Sequence, residues 1–81
     1  MMMMKEEEIK EHLISDNPEF RRLVEEHKQY VSQLEELLNR HHMTEQDHLE
    51  EIRLKKKKLQ LKDQMNSMIQ KFRNELSHQH T

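Results

Sequence analysis

Phe20, Leu23, His27, Tyr30, Leu34, Leu37 and His41 follow one another in alternating steps of three and four. That spacing returns each residue to the same side of an α-helix. Val24, Val31 and Leu38 widen the stripe, and at about 100° per residue the whole set falls within roughly 140° of arc. The pattern predicts an amphipathic helix with one buried face. Farther along, Leu54, Leu61, Met65, Met68, Ile69, Phe72 and Leu76 share an arc of roughly 100°. Leu49, Ile52 and Leu59 share a second arc close to the opposite side. Leu59 and Leu61 are two positions apart, hence nearly back to back on a helix. One partner helix covers one of these faces and leaves the other.

Two punctuation marks divide the pattern. At Ser15-Asp16-Asn17-Pro18, Asn17 suits an N-cap, and Pro18 falls at the first helical position, where its missing N–H costs nothing. Pro18 also biases Asn17 away from the helical region, so an earlier helix should stop near Ile14. At Arg40-His41-His42-Met43-Thr44, Thr44 followed by Asp47 resembles a capping box with Asp in place of Glu. The expected elements are a helix at 5–14, a second at 18–41 and a third at 45–76. A frayed start at 1–4 and a polar, frayed tail at 77–81 complete the single domain, 1–81.

The short link between the second and third helices favours antiparallel neighbours. Leu54 then lies near Val31 and Leu34, Leu61 near Val24, and Met65 near Phe20 and Leu23. The third helix outruns the second, and the first helix is placed to cover the overhang with Ile9, Leu13 and Ile14 against Met68, Phe72 and Leu76. The expected fold is therefore all-α, an antiparallel two-helix hairpin of coiled-coil character with a short N-terminal helix.

Composition sharpens this picture by exclusion. The chain has 81 residues with no Gly and a single Pro, so turn-makers are scarce and almost every residue tolerates a helix. Sheet folds and Gly-rich phosphate loops are excluded with them. The absence of Cys removes disulfides, thiolate metal sites and thiol nucleophiles. A net charge of -2 gives no overall pull toward nucleic acid or anionic lipid. The longest apolar run, Met1–Met4, is far short of the ~20 residues that span a bilayer, and it does not resemble a signal peptide. The expected compartment is the cytoplasm.

The stretch Asn17-Pro18-Glu19-Phe20 with Leu23, His27 and Leu34, followed by Leu54-Lys55-Lys56-Lys57-Lys58-Leu59-Gln60-Leu61-Lys62-Asp63, resembles the YdcH-like family. These are small bacterial helical-hairpin proteins grouped as a domain of unknown function. The resemblance spans residues 9–73, with departures at Val31, where the family pattern has an acidic residue, and at Tyr30, where it has an aliphatic one. It implies a helical hairpin in a bacterial cytoplasm, and it brings no reaction, cofactor or catalytic residue with it.

Candidate chemistry is sparse. Seven His invite a metal site, yet no two stand at the i, i+4 spacing that a helical ligand pair needs. His42 and His48 would meet only in a tightly folded turn, so surface histidines are the expectation and no metal or cofactor is assigned. Arg53, Lys55, Lys56, Lys57, Lys58 and Lys62 form a local excess of positive charge. Consecutive residues wrap around a helix, and Glu51 precedes Lys55 by the favourable four positions, so a solvated, partly neutralised face is expected. No aromatic residue is interleaved for base stacking, which argues against nucleic acid. His27, at a core position of its heptad stripe, is expected to be a partly exposed His that fills an interior slot; in the sharper reading it bonds to Asp63, which would raise the imidazole pKa. No Ser–His–Asp set can converge and there is no volume for a substrate pocket, so neither catalysis nor a small-molecule substrate is expected.

The functional expectation is a non-enzymatic protein–protein interaction or assembly module. Its contact face is Leu49, Ile52 and Leu59, and its partner is a second copy in a weak homodimer or another protein. The alternative is a small nucleic-acid-associated regulator acting through Lys55 to Lys62.

Overall fold

Three helices account for the regular structure of a computed structural model that describes residues 5–78: α1 (Glu6–Asp16), α2 (Pro18–Leu38) and α3 (Glu45–His78). The described residues contain no strand. The expectations for a frayed start at 1–4 and for residues 79–81 lie outside the described residues.

Local chemistry sets the boundaries. Asn17 adopts an extended backbone, as a residue before Pro should, with φ -119° and ψ 106°. Its side-chain Oδ1 accepts the Phe20 N–H at 3.1 Å, which caps α2. The expected end of the first helix at Ile14 is corrected: α1 continues to Asp16. The influence of Pro18 reaches only Asn17, and the last carbonyls of α1 find donors elsewhere. Arg21, on α2, donates from Nε to the Ile14 carbonyl at 2.9 Å and from its terminal nitrogen to the Ser15 carbonyl at 3.1 Å. Side-chain donors satisfy helix-end acceptors that would otherwise need water.

The second helix stops three residues earlier than 18–41 predicts, at Leu38. A tightened final turn closes it: the Asn39 N–H donates to Glu35 at 3.1 Å and the Arg40 N–H to Leu37 at 3.3 Å. Arg40 then reaches across the link to Asp47 at 2.8 Å. The same Asp47 accepts the Thr44 N–H at 3.0 Å, while Thr44 Oγ1 accepts the Asp47 N–H at 3.1 Å. That reciprocal pair opens α3. Early termination leaves His41 outside the helix and Leu38 49% exposed, so both leave the buried stripe that the heptad spacing assigns them. Ser77 and His78, expected in the tail, are helical.

Two apolar clusters make up most of the core, and Leu23 and Leu61 are buried outside both. Leu34 and Leu37, late in α2, meet Leu54, early in α3, with Tyr30 and Met43 packed alongside. Phe20, at the start of α2, meets Ile69 far along α3, and Ile9 and Leu13 of α1 close over them. Val24, Met65, Met68 and Phe72 pack against this second cluster. Ile14, expected to share the work, stays 37% exposed. Phe20, Ile9, Leu54 and Ile69 are the most deeply buried side chains, and burial of each contributes about 1.5–3 kcal/mol relative to exposure. The molecule is elongated, 57 × 21 × 17 Å.

Candidate interaction face

The division of α3 into two faces places its apolar residues in two environments. Leu54, Leu61 and Ile69 are buried, and all three turn toward the side of α3 that carries the two core clusters. On the other side Leu49 is 67%, Ile52 51% and Leu59 57% exposed. Among the described residues nothing covers the candidate self-association face. Its members belong to a longer series that the apolar pattern alone did not reveal. Glu45, Leu49, Ile52, Lys56, Leu59, Asp63, Asn66 and Gln70 succeed one another in steps of four and three, and every one is exposed. The signal was present in the sequence as heptad spacing, hidden because polar residues occupy most of the positions.

The basic segment is split by its neighbours. Arg53 makes a forked contact with Glu50, with Nε at 3.1 Å from Oε2, and Lys55 lies 3.1 Å from Glu51. Exposed pairs of this kind are worth at most about 1 kcal/mol, but each removes a charge from the local field. Lys56, Lys57, Lys58 and Lys62 make no ion pair within 4.0 Å among the described residues. Six cations in the sequence become four unpaired ones.

The structure does not bring His27 and Asp63 together. His27 is half-buried on α2, while Asp63 is exposed on the outer side of α3, and no hydrogen bond or ion pair joins the described pair. Lys58 and Lys62 are the α3 charges that act on the imidazole. Partial burial first, and then the charges of Lys58 and Lys62, hold the His27 pKa below its ordinary value. The pairing with Asp63, and the raised pKa it would bring, are therefore corrected: His27 is a partly buried imidazole with a lowered pKa. Asp63 sits about 140° around the helix from Lys58 at five residues' separation, so it cannot share the seam with that lysine.

Elsewhere the surface offers little for chemistry. An open groove of about 240 Å³ between α2 and α3 is lined by Arg22, Glu26, Tyr30, Lys57, Gln60 and Gln64 over Leu23 and Leu61. Arg22 is held there by Glu19 and Glu26. His12 lies 3.0 Å from Asp16 and stacks its ring, tilted, 4.9 Å from that of Phe72. Among the described residues no three His, Asp or Glu side chains converge as a metal-ligand set. No helix there is long and apolar enough to cross a membrane.

A model for a family described as "Protein of unknown function (DUF465)" matches residues 20–69, in agreement with the resemblance to the YdcH-like proteins. The matched segment begins at Phe20 and ends at Ile69, which pack together in one core cluster, and it contains the whole apolar part of the outer face. No curated protein and no solved structure matches the chain.

Proposed function

The chain belongs to the DUF465 family of proteins of unknown function, and from that premise we propose a non-enzymatic protein–protein interaction or assembly module. Its framework is an antiparallel hairpin of α2 and α3, braced by α1. The observation that carries the reading is the exposure of Leu49, Ile52 and Leu59 on one side of α3. A stripe of this kind, a few hundred Å² of apolar surface, is of a size that often marks an interface. The partner on this reading is a second copy or another protein. The groove beside Tyr30 is open to solvent and its Arg22 is already engaged by two carboxylates, which supports binding of partners over turnover of a substrate. The setting we propose is the cytoplasm of a bacterium, in keeping with the YdcH-like resemblance.

The test compares wild type with Ile52→Lys/Leu59→Lys. The double variant should keep the helical circular dichroism spectrum while losing face-dependent binding, both to itself and to proteins of the native cell. Identical binding by the two forms would overturn the assignment of function to this face.

A second reading rests on Lys56, Lys57, Lys58 and Lys62, which have no carboxylate within ion-pairing distance among the described residues. They would let the chain act as a small nucleic-acid-associated regulator. A salt titration of binding to nonspecific DNA separates the two: a steep negative slope supports the regulator, and an absence of binding at low salt removes it.

A further inference from the structure

Only some alignments of the outer stripe with another helix satisfy both its apolar and its charged members. The stripe carries Glu45, Leu49, Ile52, Lys56, Leu59 and Asp63 at heptad spacing, all exposed. Neither Glu45 nor Lys56 takes part in an ion pair within the chain among the described residues. A parallel copy in register would set each charge against its twin. An antiparallel copy pairs each layer with a different residue, and a two-fold operation makes every such contact twice.

Resting on the reading of this face as an interaction surface, we propose that its occupant is a second copy of the chain, antiparallel, with the two-fold axis passing between residues 50 and 51 of α3. In that register Glu45 falls opposite Lys56 of the second copy, Leu49 opposite Ile52, Ile52 opposite Leu49 and Lys56 opposite Glu45. Apolar layers occupy the centre and opposite charges close both ends. Sliding one helix by seven residues toward its C-terminus puts Leu49 opposite Leu59 but sets Glu45 against Asp63, two carboxylates. A further seven places Ile52 opposite Asp63 and Leu59 opposite Lys56. Sliding seven the other way faces Leu49 with Glu45. The flanking cations Arg53 and Lys55 are already neutralised by Glu50 and Glu51, so they do not oppose the approach. Because the stripe faces away from the core clusters, the two α3 helices meet at the centre with each α2 outermost. Leu59 then lies opposite position 42 of the second copy, beyond the start of its α3, at the rim of the contact. The contact is short, below the ~1,200 Å² of stable interfaces, and the association is accordingly weak.

Sedimentation tests the proposal at roughly 0.5 mM protein, a concentration that populates a dimer whose dissociation constant is on the order of 100 µM. Wild type should be largely dimeric. Glu45→Lys and Lys56→Glu, each alone, place like charges at both ends and should weaken dimerisation by about tenfold or more. An equimolar mixture of the two variants restores opposite charges at both ends, and dimer should return. That mixture also controls for folding, since an unfolded variant would not regain a partner. Ile52→Lys should abolish the dimer while Leu59→Lys only weakens it. Single variants that dimerise like wild type would overturn the register while leaving the interaction reading intact. A monomeric wild type would overturn the second copy as occupant, and face-dependent capture of other proteins would then decide the underlying reading separately.

Discussion

Arg21, on the first turn of α2, donates from its Nε to the main-chain carbonyl of Ile14 on α1 across 2.9 Å. This contact joins two helices through the end of one of them, and it explains how α1 runs on to Asp16 with its last carbonyls satisfied. Arg21→Ala should destabilise the joint by at most about 1 kcal/mol, as its hydrogen bonds are exposed. The loss should appear as faster amide exchange in the last turn of α1 with the exchange of α2 unchanged. Uniform acceleration in all three helices would contradict a role confined to this joint.

Asn17 holds the other side of the same joint. With its Oδ1 on the Phe20 N–H, Asn17→Ala should remove about 1 kcal/mol, which lowers the melting temperature of a domain this size by roughly 4–8 °C. Asn17→Asp, which keeps the acceptor, should retain most of it. Equal losses in the two variants would count against the cap.

The two faces of α3 differ in what they contribute to stability. Leu54 is 2% exposed and Leu59 57%. Leu54→Ala should cost about 2–5 kcal/mol, enough to unfold much of a small domain. Leu59→Ala should stay within about 0.5 kcal/mol in dilute protein. Denaturant titration at low concentration, where no dimer forms, measures both. A large loss from Leu59→Ala under those conditions would mean that the outer face supports the protomer itself.

Acid should act through two groups of known sign. The His27 pKa is lowered in the folded protein, so the unfolded chain takes up the proton first. Folding stability is then full above the unfolded imidazole value near 6.5 and is lost as pH falls from there toward the folded value. Wild type should lose more stability than His27→Gln between about pH 7.5 and pH 5, and identical losses would refute the assignment. Asp47 behaves as a depressed carboxylate. The Thr44 N–H, opposed by partial burial and aided by Arg40, holds its pKa below the ordinary value. Its contribution is present above the unfolded value near 4 and disappears as pH falls through the folded one. Asp47→Asn should therefore destabilise at neutral pH and have little effect at about pH 2, as melting temperatures at the two pH values will show.

Most of the fold was legible because helical spacing is strong wherever apolar residues recur at three and four. The buried set at Phe20, Leu23, Leu34 and Leu37 follows it, and so do Leu54, Leu61 and Ile69. Element ends were harder, since they depend on contacts distant in sequence: Arg21 reaching back to α1, and Arg40 reaching forward to Asp47. A heptad that continues to His41 cannot register that its arginine is engaged elsewhere. His27 was mispaired for a different reason: Asp63 lies on the outer side of α3, so the charges that reach the imidazole are those of Lys58 and Lys62. Exposure of Leu49, Ile52 and Leu59 followed from geometry alone, as one helix cannot be covered on opposite sides by a single neighbour.

The division of the core into two clusters has a consequence for cooperativity. Leu34, Leu37 and Leu54 form one cluster, Ile9, Leu13, Phe20 and Ile69 the other, and no buried residue belongs to both. The cluster beneath α1 depends on a helix of only 11 residues, shorter than the ~12–15 at which isolated helices begin to hold in water. Local opening at that end exposes Phe20 and Ile69 without disturbing Leu54. The protein should therefore melt from one end, with native-state hydrogen exchange resolving α1 as a separate low-energy foldon. Its departure would uncover a second apolar surface, remote from the outer stripe, which makes that end the point of entry for proteolysis and aggregation.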